Sequence, residues 1–349
     1  MSKRLSDKQS AALQGKWFTY KAMGYTLLMM DASQDGNDIS IEYLLQKEDR
    51  IESVKADVPC NSFIPSVTEV FPQGAQMQHE IASQLPISFQ GKASAGDSTG
   101  FPIEWGPFHP LLPQPVKVRL SMKDEIIQGA ELETGYNYRG MEALCSGRKP
   151  EDVLELMERT SAINGFPFGF AFARAIEKIH GVQAPERAQW LRMFLMEMTF
   201  LHAGLQSLNQ IAQSLGLLAC SARLFRLSGL YQEAAVLICE NPQFSGLLEI
   251  GGLNRDISRE TLFAVNAVIQ EMGKELQDIR NQWENTASIK KRLFGAGKAG
   301  REQALMMTGR LRRAAGFPED LRGLSALPWH KLSYKLPAVS GSDCFARAM

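Results

Sequence analysis

Two long apolar stripes constrain what this chain can fold into more than any other feature. Leu191, Phe194, Met198, Leu201, Leu205, Leu208, Ala212 and Leu215 recur at steps of three and four. That spacing keeps side chains on one face of an α-helix. Pro185 sits where a first-turn proline is tolerated, Glu186 suits the positive helix end, and Gly216 is a natural stop. A second stripe, Leu262, Val265, Ile269, Met272, Leu276 and Ile279, follows Ser258, a good N-cap. Two long helices with narrow seams predict a helix bundle, with both stripes in its core.

The N-terminal third has a different period. Ile39, Ile41, Tyr43 and Leu45 are apolar at alternate positions, the pattern of a half-buried strand, and turn signals at Gln34-Asp-Gly-Asn37 precede it. Gly91–Gly100 is rich in small and polar residues and is the best linker candidate. Beyond it Val116, Val118, Leu120 and Met122 alternate with polar residues, and Lys123-Asp124 can turn the chain back to Ile126 and Ile127. The expected fold class is α+β. A small α/β domain over residues 1–98 precedes a β-hairpin and a mainly α-helical bundle over residues 99–349.

Charge and cysteine usage narrow the function classes. Lys plus Arg and Asp plus Glu are equal at 38 each, so net charge gives no reason to expect nucleic acid or an anionic membrane as partner. No apolar run approaches the ~18–20 residues of a membrane helix. The polar N-terminus has no signal-peptide core, which predicts a cytoplasmic protein unless a partner holds it at a membrane. Cys60, Cys145, Cys220, Cys239 and Cys344 form no CxxC pair and read as reduced, mostly buried thiols. The five histidines are too scattered to share a helix face as ligands.

Local motifs carry little chemistry. Gly295-Ala-Gly-Lys-Ala-Gly300 matches GxGxxG, but the short basic segment before it is not the strand that dinucleotide binding requires. A flexible glycine loop is the better reading. Ser161 has no histidine near it in sequence to act as a base. Glu142 and Glu177 lie in apolar or small-residue surroundings, which admit either solvated or salt-bridged carboxyls or buried, proton-carrying ones.

Longer blocks are more specific. Ile64-Pro-Ser-Val-Thr-Glu-Val-Phe-Pro-Gln-Gly-Ala75 with Ile87-Ser-Phe-Gln-Gly-Lys92 resembles the C-subunit of bacterial complex I. Further blocks follow in order: Gly106-Pro-Phe-His-Pro-Leu-Leu-Pro-Gln-Pro115, Gly135-Tyr-Asn-Tyr-Arg-Gly-Met-Glu142, Val182–Arg192, Ile250–Asp256, and Thr308–Gly316 running on to Gly341–Arg347. They resemble the D-type large subunit of complex I and the large subunits of energy-converting nickel–iron hydrogenases. The C-then-D order is similar to hydrogenase-4 and formate hydrogenlyase large subunits.

The departures from the family matter as much. The hydrogenases carry C-x-x-C thiolates where this chain has Ser161 and Asn164, after Glu158-Arg159-Thr160. A hydroxyl and a carboxamide do not replace soft thiolates. The nearby histidine position is Phe168, the quinone-facing tyrosine of the complex I branch is Ala162, and the second complex I histidine is Pro113, leaving His109. The family's C-terminal C-x-x-C does not occur before Met349, where a further segment is expected.

The resemblance implies a subunit of a membrane-associated NADH:quinone oxidoreductase-like or hydrogenase-4-like complex, linked to NAD(P)H or ferredoxin, and not an active hydrogenase alone. It would have no metal or cofactor of its own. Its partners would be a small iron–sulfur subunit and membrane-arm subunits, with quinone as a further ligand, no nucleic acid and no membrane span. It would be held on the cytoplasmic face of the inner membrane. Glu142 in R-G-x-E would carry protons beside Arg139 and His109, in a cavity shared with Ser161 and Asn164. The alternative is a non-catalytic subunit that bridges an iron–sulfur partner and a membrane arm. Phe166, Phe168, Phe170 and Phe172 would spread around a helix, packing either on this chain's own helices or against the small subunit. Limited proteolysis is expected to cut first within residues 91–100. A first cut inside residues 186–215 would contradict the bundle.

Overall fold

Ile39, Ile41, Tyr43 and Leu45 are all fully buried, while the residues between them are partly exposed. They lie on the central strand of an antiparallel sheet: β2 (Thr26–Asp35), β3 (Asp38–Lys47) and β4 (Arg50–Pro59), in the order β2-β3-β4. The computed structural model describes residues 3–4, 7–47, 50–71, 74–90, 101–109, 112, 114–305, 309–317, 322, 327–334 and 341–348. The expected linker at 91–100 lies outside the described residues. Contacts divide the chain into two units, residues 1–138 and 139–349.

In the first unit, β1 (Lys3–Arg4) precedes helix α1 (Asp7–Ala22), which sets Leu13 and Trp17 into the core, with Trp17 4.3 Å from the Tyr43 ring. β5 (Ser62–Pro65), helix α2 (Gly74–Gln84) and β6 (Ser88–Gln90) follow, and β1-β5-β6 form a small parallel sheet. The Ile64–Ala75 block is a packing device. Ser66 caps the single turn Val67–Glu69 and donates to Gln78 Oε1 at 2.7 Å, while Ile64, Val67 and Phe71 are fully buried. A third sheet, antiparallel, joins β7 (Phe101–Trp105), β8 (Lys117–Lys123) and β9 (Ile126–Glu133). The expected hairpin is therefore present, with a third strand. Its turn falls one residue later than expected, on Asp124 and Glu125, both at positive φ. Two such residues make the tight turn that matches strand twist.

The second unit is helical: α3 (Met141–Cys145), α4 (Pro150–Glu158), α5 (Gly165–His180), α6 (Glu186–Ser214) and α7 (Leu218–Cys239). A two-residue hairpin, β10 (Leu248–Glu249) with β11 (Gly252–Leu253), precedes α8 (Arg259–Asn285) and α9 (Ala287–Leu293). Short helices α10 (Arg301–Leu305), α11 (Gly309–Ala314) and α12 (Cys344–Ala348) end it. Both expected long helices are present. α6 begins after Pro185 at the N-cap and ends before Gly216, at φ 70°. Ser258 Oγ caps α8 by accepting the Thr261 amide at 3.1 Å. The stripes are core or packed against it.

Helix α7 was not anticipated. It packs between α6 and α8 and tethers itself to α8 through Arg223 with Glu275 and Asp278, and Arg226 with Glu271 and Glu275. Trp283 donates its indole N–H to the buried Cys220 Sγ at 3.1 Å. All five cysteines are free; two are buried and three half-buried. Among the described residues, no helix is long and apolar enough to cross a membrane.

The Tyr43 hydroxyl is buried without a hydrogen-bond partner, and burial raises its pKa. Tyr43→Phe removes that group and keeps the ring, and is expected to stabilise the first unit by roughly 1 kcal/mol in urea denaturation.

Candidate functional site

Helix α5 follows closely on α4 because two glycines allow it. A Cβ on Gly165 would lie 1.9 Å from the Glu158 carbonyl oxygen, and one on Gly169 would lie 2.6 Å from Glu158 Cγ. The connection between the helices carries Ser161 and Asn164, both half-buried. Ser161 Oγ accepts the amides of Ile163 at 3.4 Å and Asn164 at 3.1 Å, which fixes the turn into α5. Arg139 donates to the Arg159 carbonyl at 3.3 Å and to the Thr160 carbonyl, so its guanidinium rests on the backbone just before Ser161. Three residues along the chain, Glu142 lies in the first turn of α3 with its side chain exposed. Arg139 is thus brought to the Ser161 segment by direct contact.

His109 belongs to the first unit. Its ring meets Trp105 edge-on, with centroids 4.8 Å apart. Gly106 holds this loop against β8: at φ 92°, any Cβ there would lie 2.1 Å from the Val116 carbonyl oxygen. Val116 N–H donates to the Pro107 carbonyl at 3.1 Å.

The Ser161–Asn164 pair does not fit a nickel–iron centre. Its donors are oxygen and nitrogen, and the serine oxygen already accepts two amides. Among the described residues, no group of three or more His, Cys, Asp and Glu side chains stands close enough to hold a metal.

The two helices that flank this segment each bury a glutamate. Glu177, on the Phe166–Phe170–Ala173 stripe of α5, is fully buried. Arg192 of α6, also fully buried, donates to Glu177 Oε1 at 2.7 Å, and Arg174 donates to Oε2 at 2.9 Å. The Gly251 amide reaches Oε1 at 2.8 Å. Arg192 also donates to the Glu249 carbonyl at 2.7 Å and the Gly252 carbonyl at 2.9 Å. Burial pushes the Glu177 carboxyl up, but bonds from Arg192, the Gly251 amide and Arg174 outweigh it and hold it below its ordinary range. Of the two readings admitted for Glu177, the structure shows the salt-bridged one.

Glu158, four residues after Leu154 on the buried face of α4, went unnoticed as a buried acid; that spacing was the available signal. Its Oε2 accepts the Gly246 amide at 2.8 Å, while Oε1 is buried with no partner. Burial raises its pKa, against the lowering pull of the Gly246 and Leu248 amides.

The motif blocks explain themselves in these contacts. Val182–Arg192 and Ile250–Asp256 are clamped by Arg192 and by Arg187, which donates to Asp256 at 2.8 Å and to the Ile257 carbonyl at 2.9 Å. The GxGxxG glycines pack on the last block. The buried Asp343 accepts the Gly295 amide at 2.8 Å, and a Cβ on Gly297 would lie 3.0 Å from Cys344 Sγ. Phe166 and Phe170 enter this unit's own core, Phe172 packs on it, and Phe168 is 47 % exposed.

Residues 241–349 match the family described as respiratory-chain NADH dehydrogenase, 49 Kd subunit. Formate hydrogenlyase subunit 5 of Escherichia coli is 29 % identical over 230 residues, 65 % of this chain and 40 % of that protein. The membrane-bound hydrogenase alpha subunit of Pyrococcus furiosus is 26 % identical over 226 residues, 63 % of this chain and 52 % of its own length. The NADH-ubiquinone oxidoreductase 49 kDa subunit of Cafeteria roenbergensis is 24 % identical over 250 residues, 71 % of this chain and 63 % of its own length. The chain therefore spans between 40 % and 63 % of the length of these relatives. Among solved structures, the membrane-bound sulfane sulfur reductase, an archaeal respiratory membrane complex, contains a chain of the same fold. Its TM-score is 0.67 at 24 % identity, covering 72 % of this chain and 68 % of that one.

Glu177→Ala leaves Arg192 buried beside two carbonyls with no carboxylate, and is expected to cost about 3–5 kcal/mol in chemical denaturation. The two glutamates act at opposite ends of the pH scale. The stability that Glu177 contributes is present above its ordinary 4.5 and is lost as pH falls through its lowered native pKa. The contribution of Glu158 is full below 4.5 and is lost as pH rises through its raised native pKa. Glu177→Gln should flatten the acid limb of stability against pH, and Glu158→Gln the limb above it.

Proposed function

We propose that this chain, a relative of the large subunits shared by complex I and the membrane-bound hydrogenases, is a subunit of a membrane-associated energy-converting oxidoreductase complex with no nickel–iron centre of its own. The observation that carries this reading is the turn between α4 and α5. The helix pair, the glycine contacts and the Arg139 clamp build a site there, while the ligand positions hold Ser161 and Asn164. Electrons then travel through an iron–sulfur cluster in a small partner subunit, and quinone is the acceptor class that the complex I resemblance suggests. Membrane-arm partners hold the chain on the cytoplasmic face.

The residues left for chemistry move protons rather than bind metal. Glu142 is exposed and three residues from Arg139, so its carboxyl exchanges protons with solvent while the arginine keeps the segment in place. His109 enters this proposal on the resemblance alone. A purely bridging role is the second reading. It is favoured by the consumption of Glu177 in its ion pairs with Arg174 and Arg192, which commits that carboxylate to packing.

The test is isolation of the tagged chain from its native host. Co-purification of an iron–sulfur subunit and membrane proteins is expected, and recovery of the chain without either overturns the reading. In the purified complex, Glu142→Gln should lower electron-transfer turnover by about 10²-fold, the scale of one general acid–base group, with subunit composition unchanged. Unaltered turnover supports the bridging role.

A further inference from the structure

The balanced net charge conceals an uneven distribution. Residues 287–317 hold eight cations, Lys290, Lys291, Arg292, Lys298, Arg301, Arg310, Arg312 and Arg313, against the single acid Glu302. This 31-residue stretch therefore carries +7, and the remaining 318 residues carry −7. Its described parts on either side of residues 306–308 are linked through shared partners. The Ala299 amide donates to the Ser342 carbonyl at 3.0 Å, and the Ser342 amide to the Ala314 carbonyl at 2.8 Å. Arg301 and Arg312, from separate helices, both lie over the Phe317 ring, at 5.4 and 5.5 Å. Arg292 and Arg310 reach α6 at the Leu215 carbonyl and Ser207 Oγ, eight residues apart.

Helix α9 presents two faces. Ile289 and Leu293 are buried, while Lys290, Lys291 and Arg292 are exposed, and Phe294 directly after them is 73 % exposed. Lys298, Arg301, Arg310 and Arg313 are exposed as well. Among the described residues, no carboxylate pairs with Lys290, Lys291, Lys298 or Arg313. The surface is not a cradle for one phosphate, because the loop amides of Gly295 and Ala299 are already committed to Asp343 and Ser342. Spread lysines and arginines around an exposed aromatic suit a surface with many anionic groups and an apolar layer beneath them. Lysine is also depleted at protein–protein interfaces, which weighs against a subunit contact.

We infer that the basic surface formed by Lys290, Lys291, Lys298, Arg301, Arg310 and Arg313, with Phe294 at its edge, binds the anionic headgroups of a bilayer directly. This rests on the membrane-associated reading above and adds to it a lipid contact made by this chain itself. The 349-residue chain is floated on a density gradient with vesicles of phosphatidylcholine alone, or of phosphatidylcholine with phosphatidylglycerol. Flotation separates bound protein from aggregates, which sink. Binding is expected only with the anionic vesicles and should fall steeply with added salt. At about fivefold per lysine, Lys290→Gln, Lys291→Gln and Lys298→Gln together should weaken it by about 100-fold. Phe294→Ala should weaken it further, with circular dichroism unchanged in every variant.

Equal flotation on neutral vesicles, no flotation, or an unaffected triple variant overturns the inference. So does full competition by millimolar inorganic phosphate, which marks a free-anion site, or tighter binding to single-stranded DNA. Loss of vesicle binding in a chain that still co-purifies with its partners defeats this inference alone. Vesicle binding without co-purification defeats the reading it rests on.

Discussion

The second unit is organised around one buried ion pair. Arg192 enters the core from α6 with its charge fully desolvated, a position tolerated only because Glu177 and two carbonyls surround its guanidinium. That single side chain joins three elements distant in sequence: α5 through Glu177, α6 itself, and the β10–β11 hairpin through Glu249 and Gly252. The hairpin in turn ends a connection whose Gly246 amide caps Glu158 at the end of α4. The end of α4, just before the turn bearing Ser161 and Asn164, is thereby tied to the same connection. A pair of this kind contributes less net stability than its Coulomb energy suggests, but it rejects alternative packings that would leave either charge alone.

What could be read in the sequence follows from how each residue declares its surroundings. The α6 and α8 stripes were legible because their apolar side chains recur against polar neighbours, and both helices begin and end at the expected signals. Strand β3 was legible for the same reason at period two. Helix α7 was not: Leu224, Leu227, Tyr231 and Ile238 are buried, yet Leu218, Phe225, Val236 and Leu237 are exposed, so apolar residues appear on several faces and no stripe stands out. Arg192 and Glu158 were missed because a charge within a helix is usually solvated, and burial depends on partners dozens of residues away. Glu177 was flagged, but which of its two states holds depends on Arg192, which pattern alone does not bring beside it.

The candidate site divides in the same way. The resemblance named Arg139, Glu142, Ser161 and Asn164, and the structure shows Arg139 on the backbone beside Ser161. The glycines at 165 and 169, which let α5 come so close, had no visible signature. Net charge misled in a different manner: a zero total left no expectation of an anionic partner, because opposite charges lie in separate parts of the chain and cancel only in the sum.

Strand β3 limits how this chain can change length. Its four buried side chains alternate strictly, and it is paired on both edges over nearly its whole length. Deleting one residue within it turns every following side chain to the opposite face, sending polar groups into the core and apolar ones to water. Deleting two restores the faces and shortens the strand by one repeat. The coding sequence between Ile39 and Leu45 should therefore tolerate loss of two codons far better than loss of one, a parity rule that the helices, with their period of 3.6, do not share.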